Sequence, residues 1–236
     1  MQAEGLVAEE IEAGYGKVQV LWGISASVAS GESVVLLGAN GAGKTTLLRV
    51  LIGLLPARQG RIWLNGEEIT HARPDRRVRS GLAYMSELGV FGGLTIEENL
   101  LIGGQFLPAA RLRRSMAKLY EIFPVLAERR RALASSLSGG ERKMLGIAKA
   151  LAAEPKVLMM DEPSAGLSPL FVSEVVRTLK QLREGALAML IAEQNIAFLD
   201  LADRVYTLEG GRVRFEGTVA AMHADNALHR SYFGLS

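Results

Sequence analysis

The chain has 236 residues, 49% of them hydrophobic, which is enough for a substantial core in one large domain, with or without an inserted lobe. It contains no cysteine, so disulfide frameworks, thiolate metal sites and cysteine catalysis are excluded. Lys and Arg number 27 against 25 Asp and Glu, which argues against the strong positive field of a nucleic-acid-binding protein. The first ten residues lack a signal-peptide pattern, and Arg49 interrupts the apolar run after residue 46, so we expect a soluble cytoplasmic chain.

The N-terminal region is predicted to form a small antiparallel sheet. Residues 6–37 alternate apolar and polar positions, with glycine-containing breaks between short strands. Asn65-Gly66 favours a type I′ hairpin that would complete this sheet, with Trp63 in its core. Tyr15 lies at the first break, where an aromatic ring either stacks on an adenine or packs as a turn residue. The spacing alone favours neither alternative.

A glycine-rich stretch, Gly38 to Thr46, lies between an apolar run and the apolar positions of a helix. Gly38 is followed after four residues by Gly43-Lys44-Thr45, the spacing of the phosphate-binding loop, whose main-chain N–H groups surround anionic oxygens. Lys44 would reach the β- and γ-phosphates, and Thr45 would offer its hydroxyl to Mg²⁺. An ordinary glycine-rich turn is the alternative, but the flanking strand and helix are the context that the motif requires. The candidate nucleotide-binding residues are Tyr15, Gly38, Ala39, Asn40, Gly41, Ala42, Gly43, Lys44, Thr45 and Thr46.

Residues 87–154 have the pattern of helices, which predicts a helical lobe inserted between strands. Thr95 and Glu98 have the spacing of a capping box at the start of one helix. The basic runs Arg111–Arg114 and Arg129–Arg131 could contact lipid headgroups or nucleic acid. We interpret them as solvated helix faces, which is the commoner role of such runs.

A second anion site is predicted in the same lobe. The segment Leu137–Glu141 precedes apolar positions at helical spacing, and Ser138 and Glu141 form another capping box. The paired glycines Gly139 and Gly140 would also expose main-chain N–H groups at the helix start, where an anion can bind. A simple helix cap without a ligand is the alternative.

Two later apolar runs are typical of buried parallel strands. The run at residues 156–160 ends at Asp161-Glu162, and the run at residues 188–192 ends just before Gln194. Acidic residues at the carboxyl end of such a strand face the ligand crevice. Asp161 can hold Mg²⁺ through water, and Glu162 can polarise an attacking water molecule.

The phosphate-binding loop, Leu137–Glu141 and Asp161-Glu162, in this order and with a helical lobe between them, closely resemble the ATP-binding subunits of ABC transporters. The resemblance covers essentially the whole chain. It implies one ABC ATPase domain, residues 1–236, with the α/β P-loop NTPase fold: a mostly parallel core sheet flanked by helices, an N-terminal antiparallel β subdomain and an inserted helical subdomain. The nucleotide-binding core would comprise residues 1–86 and 155–236.

Two departures from the common ABC pattern indicate which subfamily the chain resembles. Most ABC ATPases have glutamine where this chain has Glu87, and histidine where it has Gln194. The second ATPase subunit of branched-chain amino acid importers is similar at these positions and at Tyr84–Glu87, Leu94–Asn99, Glu193–Asn195 and Ser231–Gly234. That subfamily usually carries paired arginines after the loop glutamate, which this chain lacks, and Ser168 stands where aspartate is common. The contacts of the Glu87 loop and dimer coupling through Ser168 therefore stay open.

The family resemblance implies that two ATPase chains close head to tail around ATP and Mg²⁺. Each nucleotide would lie between the phosphate-binding loop of one chain and the signature segment of the other, which consists of Ser138, Gly139, Gly140 and Glu141. Neither chain alone would complete a site.

The resemblance also implies the chemistry, an in-line attack of water on the γ-phosphate. Glu162, Gln194 and Lys44 are the candidate catalytic residues, with Glu162 as the base or water orienter and Gln194 as an uncharged contact to the γ-phosphate. The candidate metal-binding residues are Thr45, Asp161 and Glu87, with a solvated loop acid as the alternative for Glu87.

The resemblance implies an ATP-hydrolysing energy-coupling subunit of an ABC importer, with branched-chain amino acids as the expected substrate. A urea or amide importer is the alternative of the same kind, and a soluble ABC ATPase acting on nucleic acid or ribosomes is the alternative from a different class. The expected partners are a second ATPase subunit, identical or homologous, the transmembrane permease subunits and, indirectly, a substrate-binding protein, but no nucleic acid. We therefore expect a peripheral position on the inner face of the cell membrane, held through the permease.

Overall fold

The computed structural model describes residues 5–225, except 88 and 184, together with residues 228 and 232. In this part of the chain the strands form two sheets. The smaller sheet consists of β1 (Gly5–Tyr15), β2 (Val18–Ala29), β4 (Gln59–Leu64) and β5 (Glu67–Glu68). These strands are antiparallel and lie in the order β2-β1-β4-β5.

The larger sheet is mostly parallel. It consists of β3 (Ser33–Leu37), β6 (Leu82–Met85), β7 (Val157–Asp161), β8 (Ala188–Glu193), β9 (Arg204–Glu209) and β10 (Arg212–Gly217). Their order is β10-β9-β3-β8-β7-β6, and only β10 pairs in the antiparallel sense among these described strands. The predicted α/β fold, with an antiparallel β part and a mostly parallel core sheet, is therefore confirmed.

Helices cover both faces of the larger sheet. They are α1 (Lys44–Ile52), α2 (Pro74–Arg79), α3 (Ile96–Gly103), α4 (Ala109–Ile122), α5 (Pro124–Glu128), α6 (Gly139–Leu151), α7 (Pro169–Leu182) and α8 (Val219–Ala224), with 3₁₀ turns at Ala134–Ser136 and Ile196–Leu201. Between β6 and β7 the described elements are helical, as the sequence predicts. The exact division of the chain at residues 87 and 154 stays a prediction.

The core lies on both sides of the larger sheet because its central strands carry apolar residues on both faces. In β3, Val35 and Leu37 join the cluster under the helices α3 to α7, whereas Val34 and Leu36 join the cluster between the two sheets. Every residue of β3, β7 and β8 is buried. Such doubly covered strands are typical of parallel sheets, in which crossover helices pack on the two faces.

Turn chemistry explains the hairpin between β4 and β5. Asn65 and Gly66 both have positive φ angles, 50° and 81°, as a type I′ turn requires. The placement of Trp63 in the core was wrong: Ile62 and Leu64 face the core, so the alternating side chain of Trp63 lies on the outer face and is partly buried there beneath the guanidinium of Arg61.

Parallel pairing brings three loops to one edge of the sheet. Leu37 lies in register with Glu193, and Asp161 lies in register with Ala192, so β3, β7 and β8 end side by side. The loop after β3 leads directly into α1. The residues that follow these three strand ends therefore meet at the carboxyl edge, where ligands bind in open α/β sheets.

Candidate functional site

The loop from Gly38 to Gly43 turns tightly between β3 and α1. Gly41 and Gly43 adopt φ angles of 80° and 108°, which side chains disfavour. A Cβ on Gly38 would lie 2.7 Å from the carbonyl oxygen of Leu208. The main chain therefore curls at the start of α1, whose first N–H groups have no partners within the helix and can bind an anion.

Lys44 is held inside this loop. Its side chain is only 3% exposed, and Nζ donates to the carbonyl oxygens of Gly38 at 2.8 Å and Ala39 at 3.2 Å. Nζ also lies 3.2 Å from Oε1 of Glu162. The predicted phosphate-binding lysine and the predicted water-orienting carboxylate are therefore in direct contact, and an incoming phosphate would compete with Glu162 for the ammonium group.

Asp161 anchors a second set of contacts. Thr45 Oγ1 donates to Asp161 Oδ1 at 2.9 Å, and the hydroxyl of Tyr84 donates to Asp161 Oδ2 at 3.0 Å. Burial raises the pKa of Asp161, the two hydrogen bonds oppose this shift, and the charge of Glu162 adds to it. Burial and the neighbouring Asp161 raise the pKa of Tyr84, so Tyr84 serves as a neutral donor.

A cleft of about 510 Å³ opens beside these groups. It is lined by Val20, Asn40, Gly41, Gly43, Lys44, Thr45, Thr46, Glu87, Asp161 and Glu162. The structure thus brings Glu87 into the same cleft as Thr45 and Asp161. Among the described residues, however, no group of three or more His, Asp or Glu side chains forms a preformed metal site. This arrangement fits Mg²⁺, which protein sites usually hold through one or two carboxylates plus phosphate and water oxygens.

Tyr15 lies next to this cleft, at the end of β1. Its ring is 43% exposed, and its hydroxyl lies 3.5 Å from Thr46 Oγ1 and accepts a hydrogen bond of 3.2 Å from Arg49. The hydrogen bond to Tyr15 raises the pKa of Arg49. The hydroxyl is thereby fixed against α1 while the ring stays accessible, a geometry that permits stacking on a planar base.

Gln194 lies on the other side of Glu162. It is exposed and lines an adjoining cavity of about 340 Å³, which shares Asn40 and Glu162 with the main cleft. The preceding residue, Glu193, is buried and accepts hydrogen bonds from the loop after Glu162 and from the main chain of Gln194. The three strand ends therefore place Gln194 close to Glu162.

The signature segment lies elsewhere on the chain. Ser138 is the N-cap of α6, and the predicted capping box is present: Ser138 Oγ accepts from the N–H of Glu141 at 3.3 Å, and Glu141 Oε2 accepts from the N–H of Ser138 at 2.7 Å. Ser138 and Gly139 are exposed. The described lining of the main cleft includes none of residues 138–141. The two predicted anion sites are therefore not brought together within this chain.

Glu141 is engaged inside its own chain. Besides the cap, its Oε1 accepts from Arg129 at 3.0 Å. The hydrogen bond from the Ser138 main chain is the largest of the effects that lower the pKa of Glu141. Within the signature segment, Ser138 and Gly139 are the exposed residues, and Ser138 is at the same time engaged in the capping box.

Sequence reasoning missed three residues of the site. It used Tyr84 only as part of a subfamily resemblance, and it gave no role to Lys143 or Glu193. Tyr84 bonds to a residue 77 positions away, and Lys143 bonds to residues 56 and 19 positions away. No local pattern encodes such contacts, although the place of Tyr84 near a strand end was an available signal.

The subfamily resemblance includes the tail segment Ser231–Gly234. Of this segment, residues 231, 233 and 234 lie outside the described residues. Among the residues that are described, no helix combines the length and apolar character needed to cross a membrane.

Comparisons with known proteins agree with this geometry. Residues 21–165 match the family model described as ABC transporter. The chain is 40% identical over 228 residues to the high-affinity branched-chain amino acid transport ATP-binding protein BraG of Pseudomonas aeruginosa, covering 96% of this chain and 98% of the relative. It is 37% identical over 212 residues to a probable branched-chain amino acid transport ATP-binding protein, LivF, of Archaeoglobus fulgidus, covering 89% and 90%.

Another relative is named for a different transport system. The lipopolysaccharide export system ATP-binding protein LptB of Haemophilus influenzae is 37% identical over 235 residues, covering 97% of both chains. Among solved structures, an ATP-binding cassette of an ABC transporter in its ADP conformation matches with a TM-score of 0.85 at 27% identity, covering 99% of this chain and 100% of that one. Family match, relatives and fold agree, and the chain belongs to the ABC transporter family as an ATP-binding subunit that hydrolyses ATP.

Proposed function

We propose that this chain is the ATP-hydrolysing energy-coupling subunit of an importer for branched-chain amino acids. The observation that carries the proposal is the single cleft that holds Lys44, Thr45, Asp161 and Glu162. The chain that contains this cleft is 40% identical to a branched-chain amino acid transport ATP-binding protein. The two departures from the common ABC pattern, Glu87 and Gln194, support the same subfamily.

In this proposal the phosphate-binding loop holds the ATP phosphates, and Lys44 moves from its carbonyl and Glu162 contacts to the β- and γ-phosphates. Glu162 then orients the water that attacks the γ-phosphate in line. The main-chain N–H groups of the loop stabilise the charge that develops on the phosphoryl oxygens. Tyr15 stacks on the adenine, and the amide of Gln194 donates to the γ-phosphate without titrating near neutral pH.

The proposed cofactor is Mg²⁺, held by the hydroxyl of Thr45 and the carboxylate of Asp161, which already lie 2.9 Å apart. When bound, the ion would neutralise part of the negative charge of the nucleotide phosphates. Tyr84 holds the second oxygen of Asp161 and so fixes the carboxylate plane. Glu87 lines the same cleft, which supports a contact to the ion directly or through water.

We place the second half of each site on another ATPase subunit, identical or homologous. The exposed Ser138 and Gly139 at the start of α6 would contact the γ-phosphate bound by the partner's phosphate-binding loop. Within the part of the chain that the structure describes, the lining of the main cleft includes none of residues 138–141, which supports that arrangement. The domain division proposed from the sequence places the core at residues 1–86 and 155–236 and the lobe at residues 87–154. In this division the phosphate-binding loop belongs to the core, and the signature segment belongs to the lobe.

The proposed membrane partner is a permease that docks near the Glu87 loop and the helical lobe. Phe91, which follows this loop, is 50% exposed, and Leu101 on α3 is 43% exposed. Apolar side chains at these positions suit a protein partner. Such docking would keep the chain at the inner face of the cell membrane.

Lipopolysaccharide export is a second candidate, favoured by 37% identity over 235 residues to an export ATP-binding protein. Purification of the chain with its membrane partners, followed by reconstitution in vesicles with a binding protein, separates the two. We expect ATP-dependent uptake of labelled leucine, isoleucine or valine. Uptake of none of these, together with copurifying lipopolysaccharide-export subunits, would contradict the importer assignment and leave ATP hydrolysis intact.

A further inference from the structure

Lys143 connects three elements around the cleft. It lies in α6, five residues after Ser138, and its side chain is partly buried. Nζ donates to the main-chain carbonyl of Glu162 at 3.0 Å and to that of Glu87 at 3.2 Å. The side chain of Lys143 thus links α6, the helix that carries the signature segment, to the end of β7 and to the loop after β6.

The bond to Glu162 matters because the main chain of that residue is unusual. Glu162 has a φ angle of 48°, in the left-handed region that non-glycine residues rarely adopt. Such conformations persist only where surrounding contacts hold them. The N–H of Glu162 donates to Ala192 O at 2.9 Å, and its carbonyl accepts from Lys143. The same carbonyl also accepts from the N–H of Ala165, at 3.1 Å. Both polar main-chain groups of Glu162 are therefore fixed, and Lys143 supplies the bond that comes from α6.

The charges around Lys143 fit an ammonium group in this place. Burial lowers its pKa, and the carboxylates of Glu87, Glu193, Glu162 and Asp161 oppose that shift. An ammonium group has three hydrogens to donate. It can therefore donate to the carbonyls of Glu162 and Glu87 at once, while its positive charge offsets the negative charge of the carboxylates at this end of the cleft.

We propose that Lys143 is a positioning residue for ATP hydrolysis: it holds the main chain of Glu162 in the conformation that aims the carboxylate, and it couples that conformation to the Glu87 loop. The proposal rests on the role of Glu162 in the proposed function. Any shift of α6 against the larger sheet would act on Glu162 and Glu87 together, since one side chain bonds to both.

The first test is steady-state ATP hydrolysis by the full-length purified protein carrying Lys143→Met, which keeps most of the stem and removes the donors. We expect kcat to fall about tenfold while KM for ATP changes by less than about twofold, the signature of a lost contribution to the hydrolytic step. Lys118→Met removes an exposed lysine from the same lobe and is the matched control. An unchanged kcat, or a raised KM with a lowered melting temperature, would overturn the positioning role.

The second test is a double-mutant cycle. If Lys143 acts through Glu162, adding Lys143→Met to Glu162→Gln lowers the residual rate no further. A further drop of about tenfold would show that Lys143 acts elsewhere. If Lys143→Met does not fold, Lys143→Gln takes its place. This variant keeps an amide donor, but on a stem that is shorter than that of lysine. We again expect kcat to fall while KM for ATP changes little.

The Glu162→Gln single variant separates this proposal from the proposed function. A wild-type rate in Glu162→Gln would contradict the assignment of the cleft itself. Loss of hydrolysis in Glu162→Gln with a wild-type rate in Lys143→Met would leave the cleft assignment intact and remove only the positioning role.

Discussion

At the scale of single residues, the carboxylate of Glu193 organises the surroundings of Glu162. It accepts hydrogen bonds from the N–H and Oγ of Ser164, at 2.7 and 2.9 Å, and from the N–H groups of Gln194 and Asn195, both at 3.1 Å. It is 2% exposed. One buried side chain therefore joins the loop after Glu162 to the segment that carries Gln194.

Burial outweighs these four hydrogen bonds and raises the pKa of Glu193 above its ordinary value of 4.5. The folded chain therefore retains this proton at a pH where the unfolded chain has lost it. A raised carboxyl pKa contributes stability that is fully present below pH 4.5 and is lost as the pH rises through the folded pKa.

We predict that the stability of the wild-type protein relative to Glu193→Gln falls as the pH rises above 4.5. The amide of the variant does not titrate, so other groups cancel in the difference. Urea unfolding of both proteins at several pH values measures it. A relative stability that rises over this range would show that the hydrogen bonds outweigh burial.

At the scale of elements, the two glycines of the signature segment have different surroundings. A Cβ on Gly140 would lie 2.3 Å from the ring of Phe171 on α7, so α6 and α7 pack closely at this point. A Cβ on Gly139 would approach Leu167 only to 4.0 Å, an ordinary contact. Gly140 therefore serves packing within the chain, and Gly139 leaves the helix start open to the outside.

We predict that Gly140→Ala destabilises the protein by about 1–3 kcal/mol, because the added methyl overpacks the contact with Phe171. Gly139→Ala is the matched control and leaves the melting temperature within a few degrees of wild type. Thermal unfolding compares the three proteins. Equal melting temperatures for both variants would mean that the contact with Phe171 relaxes without cost.

Sequence patterns predicted the buried strands β3, β7 and β8, the hairpin at Asn65-Gly66 and the helical lobe because each is locally encoded. The buried strands correspond to nearly continuous apolar runs. In the two capping boxes, the residue that pairs with Thr95 or Ser138 lies three positions later in the sequence. Trp63 was misplaced because alternation in β4 fixes which face is buried only once the register is known. The contacts of Lys143 and Tyr84 could not be predicted, since they depend on how distant strand ends align.

At the scale of the whole molecule, parallel strand pairing gathers Lys44, Asp161, Glu162 and Gln194 at one edge of the larger sheet. The signature segment begins α6 in the helical region and does not line that cleft. Our proposal therefore assigns a complete site to two chains. In each chain Lys143 spans the distance between the two regions, from α6 to the main chain of Glu162.

The most direct test of this account is the hydrolysis rate of Glu162→Gln, measured alongside ATP binding by the same preparation. We predict that hydrolysis slows by roughly 10² to 10⁴-fold, since the amide cannot accept a proton from the attacking water. ATP binding survives, because the phosphate-binding loop and Lys44 are unchanged and Lys44 loses a competing carboxylate. A hydrolysis rate equal to that of the wild-type protein would contradict the assignment of Glu162.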